Sequence, residues 1–516
     1  VGTDAAPTAV IVGKKLELAG AALLGALVAL PPATARADDA GNSSDDTPAT
    51  IRYRMPQPQQ RLRAIAEEGL VLGIGFTEYV QDKSNSRDFD LSYDWKSLES
   101  KLAFDSVSFD NNHFPTNYAT HSIAGYFYYG VARANRLSIG ESFLFAAVAS
   151  TFWETIGEWR EQAAINDMIF TPTSGMPLGE AFYHLGGLLQ RARPGVATTA
   201  FSWLFGSLKN INDAIDGAQP APADGYDDLG LPTDVWHRFR LSGGAGMTTQ
   251  DQGVTQGDGR FTLASRIVAL PKYDKPGNDS RWFHEGEVSS IRTTLTVSGA
   301  NITDGLIEAY AMAFGYYDHH VDDARYGHET FVGFDVGFEY GTHDYDRDRR
   351  RNADRISLVM GGLGFEHVVH VGDLRLRGAV RVLGDFGGVD AYALPEHRAS
   401  YGSFGLTSVL ANEDYYHALG TTVHPVVQLE YGRLRAGGEV RADFFEAIRS
   451  YDRVAPPVTL PASDRRLEMN AYVGARLGAH LAIDASIERR QRSGQIGLAA
   501  AARGETSVFF TTSVLF

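Results

Sequence analysis

From Val235 to the C-terminus one pattern recurs: about ten residues alternate between apolar and polar, then a turn or a polar loop follows. Leu434, Ala436, Gly438, Val440, Ala442 and Phe444 alternate with Arg435, Gly437, Glu439, Arg441 and Asp443, and Leu467–Leu477 and Val332–Tyr340 repeat the scheme. Alternate side chains of a β-strand point to opposite faces, so each segment reads as a strand with one apolar and one polar face. Twelve such strands are predicted, near 235–249, 259–271, 288–299, 305–317, 329–341, 354–368, 373–384, 414–431, 433–446, 465–478, 480–490 and 505–516. A sandwich also alternates, so strand number and loop rhythm decide the architecture. An even number of antiparallel strands can close a barrel.

The loops in the second half alternate in length. His370 to Asp373, Gly432-Arg433 and Gly478 to His480 are tight, whereas Gly384–Glu413, Ala447–Asp464 and Gln491–Glu505 read as long. Short turns at one end and long loops at the other are the rule of membrane-spanning barrels. Thr342–Asp354, rich in Asp and Arg, reads as another outer loop, and Lys272–Glu287 as a long connection that breaks the rhythm. The polar faces carry Arg238, Arg240, Arg266, Arg375, Arg377, Arg381, Arg435, Arg441 and Arg476 against Asp335, Glu339, Glu439, Asp443, Asp484 and Glu488. These side chains either line a charged channel or fill a narrow lumen with ion pairs, since buried charges need partners. In the last segment, Thr506, Val508, Phe510, Thr512, Val514 and Phe516 share one face. It resembles the closing strand of bacterial outer-membrane barrels, which ends in Phe. The resemblance implies outer-membrane lipid as a partner, and the barrel-assembly machinery as a second one through Phe516.

Residues 61–216 follow a helical period instead. Helices are predicted over Arg61–Val80, Tyr118–Ala134, Ser138–Trp159, Pro177 to about Arg191, and Val196–Ile215. Ser138-x-x-Glu141 forms a capping box, and Pro177 suits a first helical turn. A linker over 217–234 leads to the barrel at 235–516. The fold class expected is α+β multidomain: an N-terminal helical domain followed by an antiparallel transmembrane β-barrel of about twelve strands. Ahead of the helices, Lys14-Lys15, the apolar run Leu16–Leu30 and Ala35-Arg36-Ala37 read as a signal peptide with an upstream extension over 1–37. A disordered mature N-terminus is expected over 38–60. The chain has no cysteine, which removes disulfides and thiolate metal sites, and its net charge of −16 argues against nucleic acid as a partner.

The candidate chemistry lies in the helices. His121, Glu154, Glu158, Asp167, Glu180 and His184 project from otherwise apolar segments, with Glu154/Glu158 and Glu180/His184 each one helical turn apart. All six are expected to converge on one buried polar cluster. Three roles stay open: a structural hydrogen-bonded network, a catalytic or lipid-headgroup site, and a metal site, although the spacing is not the Glu-x-x-His of di-iron bundles. No cofactor is named by these residues. Gly73-x-Gly75 lies within an apolar helix and is no nucleotide loop. His319-His320 with Asp318 and Asp322-Asp323 could chelate a metal, but reads as an exposed hydrophilic connection.

The run Asn117-x3-His121-x3-Gly125-x2-Tyr128-Tyr129, Ala132-Arg133, Trp153-Glu154-x3-Glu158 and Asn166-Asp167-x3-Thr171-Pro172-x2-Gly175-x3-Gly179-Glu180 resembles an uncharacterised bacterial domain-of-unknown-function family. It covers about residues 95–190, and Ser122 stands where the family pattern has Pro. The resemblance implies an exported, outer-membrane-associated protein of Gram-negative bacteria with a β-rich C-terminal half. Three functions follow as expectations. The helical domain, periplasmic or in the lumen, plugs or caps the barrel and binds an envelope lipid or protein; or the six residues modify an envelope lipid; or the barrel passes small polar solutes.

Overall fold

In the computed structural model, residues 48–83, 95–103, 105–158, 161–345, 354–453 and 458–516 are described. The expected signal peptide, residues 38–47 of the mature N-terminus and the Asp/Arg-rich stretch 346–353 lie outside them. Residues 48–516 belong to one compact unit. Its β part is a ring of twelve antiparallel strands: β1 (Trp236–Gln250), β2 (Thr255–Val268), β3, β4 (Asn301–Val321), β5 (Tyr326–His343), β6 (Asp354–Val371), β7 (Leu374–Asp390), β8 (Tyr415–Tyr431), β9 (Leu434–Ala447), β10 (Ala462–Arg476), β11 (Leu481–Ile496) and β12 (Ala499–Leu515). β3 comes in two pieces, Gly277–Phe283 and Val288–Ser298, which pair in succession along β4. β12 pairs with β1, Phe510 opposite Ala245, and this closes the ring. Among the described strands only the short first piece of β3 pairs on one side alone.

Two of the expected connections are therefore strand. Lys272–Glu287 holds the first piece of β3, which short polarity runs hid because the strand breaks at His284–Glu287. Gln491–Glu505 is not a loop either: β11 and β12 run on in register, Ile496 opposite Ala499, and turn at Gly497-Leu498. The long connections that remain, 344–353, 391–414 and 448–461, all leave the same end, here the loop end. The other is the turn end.

Ion pairs between strands that are not neighbours identify the lumen. Arg292 of β3 faces Glu439 of β9 across the ring at 3.8 Å, Arg490 of β11 meets Asp304 of β4 at 3.2 Å, and Arg266 of β2 meets Glu366 of β6 at 2.8 Å. The alternate face, with Leu363, Phe365, Val473 and Phe510, points outward and is exposed. A cavity of about 310 Å³, lined by Arg240, Arg292, Glu339, Glu439 and Arg441 among others, remains inside. At the loop end two short helices of the 391–414 connection, Leu394–Tyr401 and Ser408–Glu413, turn in. There Leu394, Leu406 and Leu410 pack on Leu358, Val389, Tyr416 and Phe445 of the inner wall. At the turn end Tyr273 folds inward from the β2–β3 connection onto Trp236, Phe283, Tyr317 and Phe331.

Among the described residues six α-helices precede the barrel: α1 (Arg61–Lys83), α2 (Trp95–Leu102), α3 (His121–Ala134), α4 (Ile139–Phe152), α5 (Ile165–Gln190) and α6 (Val196–Asp216). Ser138 caps α4 with the reciprocal Glu141 bond that the sequence suggests. The helix expected to start at Pro177 starts twelve residues earlier, and Pro172 and Pro177 lie inside α5. Proline gives up a ladder hydrogen bond, yet nearly every residue from Phe170 to Leu188 is buried, and that packing outweighs local propensity. Residues 48–53, expected to be disordered, are tied down: Thr50 and Ile51 are buried, and Tyr53 donates to Asp213 at 2.9 Å.

The helices lie neither in the lumen nor across a mouth. α5 runs along the outward face of β3 to β7. Tyr128, Tyr129 and Met176 pack on Ala311, Ala313 and Val336, and Phe170 meets Phe338. Each of these strand residues alternates with lumenal Tyr310, Met312 and Asp335. The expected plug or cap is thus corrected to a lateral cover. The physical reason is shape: ion pairs and inturned segments leave only the cavity of about 310 Å³ inside, whereas small Ala309, Ala311 and Gly388 let the helices approach the outer wall. At Gly388 a Cβ would stand 2.1 Å from the Tyr118 ring.

Candidate functional site

α3 and α5 run side by side, and the motif residues are their contact. Gly125 and Gly175 bring the two backbones together, so that a Cβ on Gly125 would lie 1.9 Å from the Thr171 carbonyl oxygen. One step on, Tyr129 packs over Gly179. The polar motif residues sit at either end of this seam. Asp167 and Glu180 are thirteen residues apart on α5, about 20 Å at 1.5 Å per residue. The expected single cluster is therefore two.

The first cluster is at the loop-end rim. His121 Nε2 lies 3.5 Å from Asp167 Oδ2, and its Nδ1 lies 3.2 Å from Thr171 Oγ1. Asn166 donates to Asp167 Oδ1 at 2.7 Å and accepts from the Asp110 backbone N–H at 2.7 Å. Glu154 sits in a π-turn, Trp153–Gly157, that ends α4, and it accepts from the Ala164 N–H at 3.1 Å. Glu158 points away, accepting from Trp153 Nε1 at 3.1 Å. Lys101 Nζ donates to the carbonyl oxygens of Glu154 and Glu158, at 2.7 and 2.6 Å. Burial, then the neighbouring Glu158 charge, pushes the Glu154 carboxyl well up. Burial, then Glu154, does the same to Asp167. Desolvation lowers His121 to about 4, so its ring is neutral. This rim sets two carboxyls with raised pKa beside a neutral imidazole, groups able to share or pass protons.

Ionising these acids opposes folding. Their folded values lie above the unfolded ones, so stability is complete below about pH 4 and declines as pH rises towards the folded values. Glu154→Gln keeps an oxygen for the Ala164 N–H and should flatten that decline. Urea midpoints of the helical circular dichroism signal across pH check this; a slope unchanged from the parent protein would contradict it.

The second cluster lies further along α5. Glu180 Oε1 accepts from Tyr129 Oη and Arg133 Nε, both at 2.6 Å, and Oε2 accepts from Arg133 Nη2 at 3.1 Å. His184 Nε2 is 3.3 Å from Glu180 Oε2, and its Nδ1 faces Thr50 Oγ1 at 2.7 Å. Arg133 also donates to Glu285 Oε2 at 2.7 Å, within the break between the two pieces of β3. Gly286, with φ of +69°, lets that break approach: a Cβ there would meet Glu180 Oε2 at 2.3 Å. Every charge here is paired, which marks a structural bolt between helices and barrel. Tyr129 and Arg133 stood in the family-like motif without a role, and only the fold shows what they bind. Neither cluster gathers three ligands on one ion. Among the described residues the group of three that could hold an ion is in the barrel: Asp274, Glu329 and His370.

Three solved barrels align with this chain over most of their own length. They are the KdgM porin (9% identity, 54% of this chain and 98% of that one, TM-score 0.21), a Pseudomonas aeruginosa FadL homologue (10%, 55% and 91%, 0.26) and the translocator domain of autotransporter NalP from Neisseria meningitidis (12%, 62% and 97%, 0.22). At these scores the alignments add nothing to the strand register, which carries the fold by itself. No curated protein matches the chain. Residues 106–206, which include His121, Glu154, Glu158, Asp167, Glu180 and His184, match the model of a family described as a domain of unknown function, DUF3943.

Proposed function

We infer that this is an outer-membrane barrel, closed to solutes, whose outer wall carries a lipid-facing helical module with a structural or envelope-binding role. One observation carries the reading: the helices cover the outward face of the barrel, and their far side is itself apolar. Leu62, Leu70, Ile123, Leu144, Val148, Phe201 and Leu204 are exposed there. Such a surface suits acyl chains better than water. No described helix is long and apolar enough to cross a membrane alone, and here the barrel supplies the other flank. The ion pairs across the lumen and the inturned segments at both ends argue against a pore. The lipid-modifying alternative now centres on part-exposed His121 with Asp167 and Thr171, the portion of the six-residue set within reach of a lipid.

Trp203 on α6 is exposed on the apolar side. In a variant keeping Trp203 alone, phospholipids brominated on their acyl chains should quench its fluorescence, and planar-bilayer conductance should be low. Unquenched fluorescence would move the helices out of the lipid, and large steady conductance would restore the porin reading.

A further inference from the structure

At the turn end of the lumen, Glu329 of β5 is the centre of a cluster of potential metal ligands. His370 Nε2 of β6 is 3.1 Å from Glu329 Oε1, and the Asp274 backbone N–H donates to the same oxygen at 2.8 Å. One ligand atom each from Asp274, Glu329 and His370 falls within 4.8 Å of the others. His319 of β4 lies beside this group of three, its Nδ1 3.6 Å from Glu329 Oε1. Sequence reading placed His319 on an exposed connection; it is in fact a lumenal strand residue. Its side chain and that of Glu329 are both 0% exposed.

The hydrogen bonds fix what His319 can offer. Its Nε2 lies 2.8 Å from the Lys275 carbonyl oxygen, which can only accept, so Nε2 carries the proton. In a neutral ring Nδ1 is then a lone pair aimed at a carboxylate oxygen. Nδ1 of His319 and Oε2 of Glu329 make no hydrogen bond among the described residues. Nδ1 faces Oε1, which the Asp274 N–H already serves, so a cation reached by Nδ1 and by Oε2 would satisfy both buried acceptors. A backbone carbonyl behind the imidazole is also the usual support of a metal-bound histidine. Asp274 has its own support: Trp236 Nε1 donates to Oδ2 and Arg325 to Oδ1, both at 3.1 Å, with Arg375 at 3.7 Å. The turn that presents it is held in a rare conformation, Lys272 and Asp274 having φ of +65° and +57°.

We propose that Asp274, His319, Glu329 and His370 bind one divalent transition-metal ion, zinc by ligand type, which fastens the inturned β2–β3 connection over the turn-end mouth. Zinc takes imidazole nitrogens and carboxylate oxygens as ligands and prefers four of them in a tetrahedron. The two carboxylates balance the ion's charge beside Arg325 and Arg375. The outward histidines of the same strands, His320 and His328, share Asp318 at 3.3 Å on the exposed face and take no part. The fastening rests on the occluded-barrel reading; the binding does not.

The full chain, folded in detergent and stripped with chelator, should take up one equivalent of zinc by mass spectrometric metal analysis. With cobalt it should show the visible absorption of a tetrahedral, histidine-bound ion. Glu329→Gln and His370→Gln should each weaken zinc binding by at least about tenfold, as loss of a ligand or its support does. His320→Gln with His328→Gln should leave it unchanged. Heat-modifiable mobility verifies that each variant has folded. Absence of stoichiometric uptake, or equal uptake by a folded Glu329→Gln/His370→Gln double variant, overturns the site; a proton on His319 then supplies the missing cation. Conductance is read separately. A rise on chelation supports the fastening, and no change in a zinc-binding protein overturns the fastening alone.

Discussion

Glu180→Gln should destabilise the helical cover more than any other single-charge substitution. Arg133 is buried to 2% exposure, and Glu180 holds it through two hydrogen bonds while also accepting from Tyr129. Removing one partner of a buried ion pair leaves the other uncompensated, at about 3–5 kcal/mol. Glu285 still faces Arg133, which puts the expected loss towards the lower figure. Urea unfolding followed by helical circular dichroism should show the shift. A Glu180→Met/Arg133→Met pair should recover part of it, because replacing both charges by apolar groups of similar volume removes the unpaired one. If Glu180→Gln unfolds within about 1 kcal/mol of the parent, the bolt between α3, α5 and the break in β3 is not what holds the cover.

Gly125→Val should have the second large effect, by a different route. The added carbon would fall 1.9 Å from a backbone oxygen of α5, and neither backbone can move without losing its contact. Overpacking costs about 1–3 kcal/mol where side chains can shift; here the obstacle is main chain, so the loss should be at the top of that range or beyond. The barrel's ladder does not depend on this seam. The variant should keep heat-modifiable mobility while trypsin cleaves its helices. Gly73→Ala on α1, with nothing within 4 Å of the new carbon, should gain up to about 1 kcal/mol from helix propensity. Equal protease resistance in parent and Gly125→Val would show that the two helices do not meet there.

The strands were legible because alternation over ten residues admits few other readings, and the register shows each predicted strand within the ring. β3 was read short because its first piece is seven residues long and separated by His284–Glu287, whose polar run serves the helices and not the ladder. The gap before β12 looked like a loop because Ala499–Ala502 is four alanines with no polarity contrast. α5 was read late because proline and glycine are penalised locally, whereas its burial is set by strands more than a hundred residues away. The six site residues were each found in apolar company. Their division was hidden because spacing along separate helices gives direction but not depth. The side on which the helices lie was equally invisible: the small outward residues of β4 and β7 read as ordinary lipid-facing positions. The pairing of His319 with Glu329 and His370 needed the inward parity of β4, which a one-residue bulge near Ala313 resets.

The lateral cover has a consequence for the order of folding. Asn117 donates to Tyr415 across 298 residues of chain, and Tyr118 faces His417 across 299. α5 buries its inner face on β3 to β7, and the turn before α3 meets β8, strands that a ribosome makes later. Contacts so distant in sequence bring loop-closure entropy that must be met before they stabilise anything. Until those strands pair, the helices have no wall to lie on, and their apolar surfaces stay open to any binder that shields them. The layer synthesised first is the layer completed last.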